Sequence, residues 1–220
     1  MSGRDEERSV VRALLDTHGE TYAAEAGIRL RDTPQPLYRL LVLAHLLSAR
    51  IKGSIAVASA RALHEAGLRD PRRMAGAGRQ ERVDALGRGG YRRYDERTAT
   101  QLGDAARLLN ERWGGDLRRL RAEADGDVGE LRRLLQEFPG IGPAGADIFL
   151  REVQHVWPEA APYLDGKALQ GARRLELPQD PERLLGLAGR ARPAVLAAAL
   201  VRAAIDRDVA ADALNRAASE

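Results

Sequence analysis

Apolar residues recur along this chain at spacings of three and four, the period of helices with one buried face. Val10, Val11, Leu14 and Leu15 fall on such a stripe and predict a helix over Asp5–Thr17. A loop with Pro34 and Pro36 follows. Leu37–Ile51, apolar on nearly every side, then reads as a buried central helix that stops at Gly53. Shorter helical patterns cover Ser54–Glu65, Pro71–Ala75 and Arg79–Leu86, and the run Gly87-Arg88-Gly89-Gly90 must turn. A long helix is predicted from Tyr94 to Arg112, ended by Gly114-Gly115, with a short one over Leu117–Ala122. Asp127 can cap the next, Val128–Glu137. Further helices are predicted over Pro143–His155, Gly166–Leu175, Pro181–Leu187, Pro193–Ile205 and Val209–Ala218. Asp180-Pro181 joins an N-cap to a proline at the first helical position, a strong start signal. No stretch alternates as a strand would, and no segment repeats at a fixed period, so the expected class is all-α.

Composition narrows this further. The chain has 220 residues, room for one large domain or two small lobes. Hydrophobic residues make up 44% but aromatics only 4%, so the core must be built from Leu, Ala, Val and Ile. The net charge is +3, with the basic side carried by Arg; Lys52 and Lys167 are the two lysines available to any lysine-dependent reaction. No cysteine is present, which excludes disulfides, thiolate nucleophiles and Cys-ligated iron–sulfur clusters. His18, His45, His64 and His155 are scattered without metal-ligand spacing, and neither a metal nor an organic cofactor is implied. No apolar run approaches the length of about 18 residues that a membrane span needs. The start, MSGRDEERS, is charged and lacks the apolar core of a signal peptide. A cytoplasmic location with no membrane partner is the expectation.

The most informative stretch runs from Leu135 to Leu150. Two glycines, Gly140 and Gly142, separated by Ile141, join two predicted helices. Glycine can take backbone angles closed to other residues, and without side chains the pair would let a phosphate approach the main chain. The N–H groups opening the next helix, near Ala144, would then point at that phosphate. Ile141 would anchor the turn in the core, and the small Ala146 would let the two helices pack closely. With Phe138-Pro139 ahead of it, the run fits the helix-hairpin-helix pattern L-x-x-[LF]-P-G-[IV]-G-x-x-x-A, which grips DNA backbone without reading sequence. A tight helix–helix turn with a glycine C-cap is the plainer alternative.

More of the chain, roughly Pro36–Leu177, resembles the endonuclease III superfamily of DNA glycosylases. Leu46-Leu47-Ser48-Ala49-Arg50 is similar to the L-L-S-A-Q segment ending that family's central helix, whose Gln enters the DNA stack; Arg50 stands in its place. Gly89-Gly90-Tyr91, with Arg88, Arg92 and Arg93 around it, resembles the second DNA-facing loop, and Lys52 would lie nearby. Tyr163-Leu164-Asp165-Gly166-Lys167 resembles the V-D-T-H segment that carries the catalytic aspartate, with Lys167 in place of the histidine. Asp165 follows Gly140 by 25 residues, so a small insertion is needed. The family's lyase lysine is Ala144 here, which cannot form a Schiff base. The four cysteines of its cluster are also missing.

The resemblance implies a two-lobed helical fold with a DNA cleft between the lobes, one of residues 33–154 and the other of 1–32 with 155–220. It implies a nucleoid-associated DNA repair protein that binds double-stranded DNA and hydrolyses the N-glycosidic bond of a damaged or mismatched base. In such a reaction the Asp165 carboxylate would stabilise positive charge on the deoxyribose and orient water; the same residue, opening a helix, is equally an N-cap. The base must be flipped out of the duplex to be reached, and Arg50 would fill the gap or be a solvated helix-end cation. Ser48, Tyr91 and Lys167 are pocket candidates. Tyr91, Tyr94, Trp113 and Trp157 are the rings able to stack on a base or to serve core and rim, while His45 in the apolar helix reads as a core histidine. From Arg69 to Arg93, eight arginines face Asp70, Glu81 and Asp84, a net of +5 that suits a DNA-facing wall or a set of solvated helix faces. Two other functions stay open: a non-catalytic binder of damaged or structured DNA, and an AP lyase or endonuclease using Lys52 or Lys167.

Overall fold

The computed structural model describes residues 3–219, and every regular element among them is helical. The chain divides into two compact units, Ala23–Leu150 and Met1–Tyr22 with Arg151–Glu220. The borders fall at 22/23 and 150/151, where the sequence pattern suggests 32/33 and 154/155.

The first unit is built on α3, Pro34–Leu47, in which Leu37, Leu40, Leu41, Leu43, Ala44 and Leu46 are buried. This helix begins and ends earlier than its apolar pattern suggests. Pro34 occupies the first helical position and Pro36 the same turn, where no N–H has an intrahelical acceptor, so neither breaks the helix. At the other end the Ser48 hydroxyl donates to the His45 carbonyl (2.7 Å), competing with the backbone for the last turn. Arg50 therefore sits in the turn after the helix rather than on it.

With α3 the unit holds α4 (Gly53–Glu65), α5 (Pro71–Gly76), α6 (Arg79–Arg88), α7 (Asp95–Trp113), α8 (Leu117–Glu123) and α9 (Val128–Leu135); α4 and α8 pack on α3, α5 and α6 on α7, and α9 on α8. Asp70, Asp116 and Asp127 cap α5, α8 and α9 by accepting from backbone N–H groups. Gly89 closes α6 against α4 so tightly that a Cβ there would strike the Ser59 backbone. Arg82 lies inside this packing rather than on a DNA-facing wall. It is 5% exposed and donates to the carbonyls of Met74 (2.9 Å), Ala77 (2.7 Å) and Ala99 (2.7 Å). It thus ties α5, the loop after it and α7 together.

The second unit holds α1 (Gly3–His18), α11 (Gly166–Arg174), α12 (Pro181–Ala188), α13 (Pro193–Ile205) and α14 (Arg207–Ala218). Val11, Leu14, Leu164, Ala172, Leu184, Leu196 and Leu200 make one apolar core. Gly171 lets α11 cross α13 at closest approach, for a Cβ there would overlap the Leu200 carbonyl. Asp206 caps α14, which begins two residues before its predicted start. A four-residue helix, α2 (Tyr22–Glu25), spans the 22/23 border in a stretch with no helical prediction. The helix α10, Pro143–Val153, carries the chain from the first unit into the second. Among the described residues no single helix is long and apolar enough to cross a membrane.

Candidate nucleic-acid interface

The hairpin between α9 and α10 is set by its apolar residues. Phe138 and Ile141 are 1% and 4% exposed, and Phe138 packs on Trp113 with ring centroids 5.4 Å apart. The Ile141 N–H donates to the Phe138 carbonyl (2.9 Å), closing the turn. Ala146 is fully buried, as close helix packing requires.

The two glycines differ in kind. Gly140 has φ +86°, the left-handed region that favours glycine, and its Cα lies against a side chain from α3. A Cβ there would collide with Cε1 of His45 and come within 2.6 Å of its Nε2 and 3.0 Å of Gln101 Oε1. Gly142 lies outside the left-handed region, so of the two glycines it is Gly140 that uses the backbone freedom other residues lack. A Cβ at Gly142 would meet nothing within 4 Å, and the position is exposed. The α10 ladder starts with Ala146 N–H donating to the Gly142 carbonyl (3.0 Å), which leaves the Ala144 and Gly145 amides without intrahelical acceptors. Ala144 is exposed and places its methyl group at the surface.

The hairpin forms one wall of an open cleft of about 710 Å³ within this unit. Gly140, Ile141, Gly142, Ser48, Arg50 and Tyr91 of the predicted site all line it. Lys52, Arg88, Arg92 and Arg93 are exposed on the same unit but do not. Tyr91 is 2% exposed and its hydroxyl pairs with Thr98 Oγ1 (2.9 Å), so its ring belongs to the core. Trp113 and Trp157 are buried as well.

Tyr94, named from the sequence as a ring able to stack on a base or serve the rim, lines the cleft, and Arg97, Gln101 and Glu137 line it without having been singled out. Tyr94 is 54% exposed, adopts φ +63° at the start of α7, and has the Arg93 guanidinium 5.0 Å from its ring centroid. A left-handed tyrosine is costly backbone, of the kind that clusters at functional sites. Arg97 and Gln101 follow it along α7. Glu137 is the acidic side chain in the lining, and it is neutralised by Arg112 and by Arg133 (2.9 Å). His45 is 5% exposed; burial lowers its pKa to about 4, with a hydrogen bond from the ring to the Gln101 side chain opposing the shift, so the ring is neutral near pH 7. The one hint of its role in the sequence is a polar ring in the last turn of an otherwise apolar helix.

Asp165 lies in the other unit and caps α11, its Oδ1 accepting from Ala168 N–H (3.0 Å). Its Oδ2 is held by the Arg151 guanidinium, and both side chains are about nine-tenths buried. Gln154 clamps the preceding strand of chain, accepting from Tyr163 N–H (2.6 Å) and donating to its carbonyl (3.1 Å). Lys167 is exposed, its Nζ donating to Gln170 Oε1 (2.9 Å). Among the described residues no three His, Cys, Asp or Glu side chains converge on one point, and a chain without cysteine does not fit the thiolate donor set of an iron–sulfur cluster.

No protein-family model and no curated protein matches this sequence. Solved structures do match the fold. One is a trapped covalent endonuclease III–DNA intermediate with an estranged adenine, at TM-score 0.54 and 15% identity. Another is a non-covalent endonuclease III–DNA complex, at TM-score 0.55 and 16% identity. Each match covers 92% of this chain and 86% of the other. The chain has an all-helical, endonuclease III-like fold.

Proposed function

We propose that this protein binds double-stranded DNA and removes a damaged or mismatched base by hydrolysing its N-glycosidic bond, as a monofunctional glycosylase. The observation that carries the binding half is the hairpin. Gly142 leaves the main chain open, the free amides of α10 lie behind it, and Gly140 is locked in place. That is a phosphate seat made from backbone, which fits sequence-independent grip. Arg50 and Arg97 on the cleft, with Lys52, Arg88, Arg92 and Arg93 on the same unit, supply the charge that draws a duplex. The similar folds were solved as DNA complexes, which supports the same partner here. Ala144 supplies no amine, so the hydrolytic reading assigns water as nucleophile and Asp165 as the carboxylate beside the sugar. On this reading the protein works in the cytoplasm, at the nucleoid.

One observation favours a second reading. Both oxygens of Asp165 are engaged, one in a helix cap and one in a buried ion pair with Arg151, an arrangement that suits structure as well as chemistry. A non-catalytic binder of damaged or unusual DNA would keep it. The test is a panel of duplexes, each with one altered or mismatched base, incubated with the protein and then treated with hot alkali. Breakage of one duplex only after alkali supports the glycosylase; gel-shift binding with no breakage across the panel supports the binder. Breakage without alkali, with a borohydride-trapped adduct, would move the assignment to Lys52 or Lys167.

A further inference from the structure

We infer that His45 is a positioning residue for the phosphate seat, a buried strut from α3 that fixes the hairpin's conformation through Gly140. The inference rests on the proposal that the hairpin holds a DNA phosphate. Its basis is the convergence of three elements on one imidazole. His45 comes from the last turn of α3, and its carbonyl accepts from Ser48 Oγ (2.7 Å). Gln101 of α7 hydrogen-bonds the ring. Gly140 lies so close that a Cβ would overlap Cε1. The end of α3 touches the seat a second time, since a Cβ at Gly145 would lie 3.6 Å from Ser48 Cβ. The glycine in the left-handed conformation is thus pressed against a side chain that cannot retreat, being buried and held from behind.

A neutral ring suits this task, because a charged one would have to be desolvated beside backbone amides that the phosphate needs. In this role the imidazole need touch no part of the DNA. It acts by holding the turn between Phe138 and Gly142 in the conformation a phosphate fits, so its loss should be felt at one phosphate rather than over the whole footprint.

The test is a scan of duplexes in which one phosphate at a time is replaced by a neutral methylphosphonate, with affinity measured at fixed salt. For the wild-type protein, one replacement should weaken binding about tenfold, the size of a single charge-assisted hydrogen bond. His45→Asn, which keeps a polar side chain but withdraws from Gly140, should weaken binding to the unmodified duplex about tenfold. In that variant the loss at the special phosphate should shrink below twofold. Gln101→Ala, which leaves the ring but removes its support, should move both quantities the same way by less, and serves if His45→Asn fails to fold. A folded variant that keeps the wild-type scan, or that loses affinity evenly at every phosphate, overturns the inference. A wild-type protein that binds no duplex overturns the hairpin reading and the strut with it, whereas wild-type binding with a special phosphate, unchanged in the variants, overturns the strut alone.

Discussion

Alanine at Gly140 and alanine at Gly142 should separate folding from binding. At Gly140 the new methyl meets two costs. The backbone at φ +86° is unfavourable for an L-residue by about 1–2 kcal/mol. The methyl also overlaps His45 Cε1 and approaches Nε2 to 2.6 Å. Relieving that overlap by shifting a packed ring costs about 1–3 kcal/mol. Gly140→Ala should therefore destabilise by about 2–5 kcal/mol in total. At Gly142 the backbone is ordinary and the methyl meets nothing. Loss of unfolded-state entropy stabilises by about 0.4–1 kcal/mol, while alanine is a poorer N-cap than glycine by a similar amount, so the net change is near zero.

Binding should respond in the opposite order of selectivity. A methyl on the open side of Gly142 would occupy the space through which the proposed phosphate reaches the α10 amides, and duplex affinity should fall about tenfold, one such hydrogen bond. Thermal unfolding and gel-shift titration of the two variants are sufficient. Gly140→Ala should lower Tm by roughly 5–15 °C, and Gly142→Ala should leave Tm within a few degrees of wild type. A Gly142→Ala protein with wild-type Tm and wild-type affinity would refute the phosphate seat. A Gly140→Ala protein with wild-type Tm would refute the tight contact with His45.

Three further outcomes follow from buried polar and charged groups. The folded-state pKa of His45 is held near 4 against 6.5 for a free histidine, so the unfolded chain takes up a proton as pH falls below 6.5 while the folded chain does not. That part of the stability, about 3 kcal/mol, is fully present above pH 6.5 and lost between pH 6.5 and 4; His45→Leu should flatten this acid limb in urea titrations across that range. Arg82→Met orphans three carbonyls and should cost roughly 3 kcal/mol in urea unfolding, with no change in DNA affinity by gel shift. Arg151→Met and Asp165→Asn should each destabilise by about 3–5 kcal/mol in the same unfolding measurement, and the double variant by less than either, because each single change strands a buried charge.

Helix starts were the most legible feature, because their chemistry is local. Asp127, Asp165 and Asp180 each accept from an N–H three residues on, as a cap must. The hairpin was legible for the same reason: its glycines, buried isoleucine and small Ala146 lie within a few consecutive positions. What escaped the sequence depends on residues far apart along it. His45 and Gly140 are in contact across 95 positions, and nothing local distinguishes a core histidine from a strut. Arg82 counts toward a basic segment until its three carbonyl partners, spread from Met74 to Ala99, show that it faces inward. Ser48 ended α3 early through a hydroxyl bond that apolar periodicity does not register. Arg151 was overlooked because its partner is Asp165, at the start of the next α-helix.

That ion pair bears directly on the chemistry. A carboxylate helps a departing base by presenting unbalanced negative charge to the sugar cation. With Arg151 in contact, Asp165 presents a dipole, whose field falls off faster than that of a charge. Freeing the carboxylate means stranding a buried arginine, a cost of about 3–5 kcal/mol, or about 10²–10⁴-fold in rate. Phosphate grip by the hairpin would demand none of this, so the two proposed activities, binding and base removal, are separable. Two abasic-site analogues read the difference without a known lesion: a pyrrolidine, cationic where the glycosidic bond would break, and a neutral tetrahydrofuran. With the pair closed the protein should bind duplexes carrying either analogue within about twofold, since the two electrostatic contributions of Arg151 and Asp165 largely offset each other. Arg151→Met, if it folds, should then favour the cation by about tenfold or more, the free carboxylate being worth at least one charge-assisted contact. A wild-type preference already that large would mean that Asp165 reaches the cation with its arginine in place, and would refute the argument that the pair screens it.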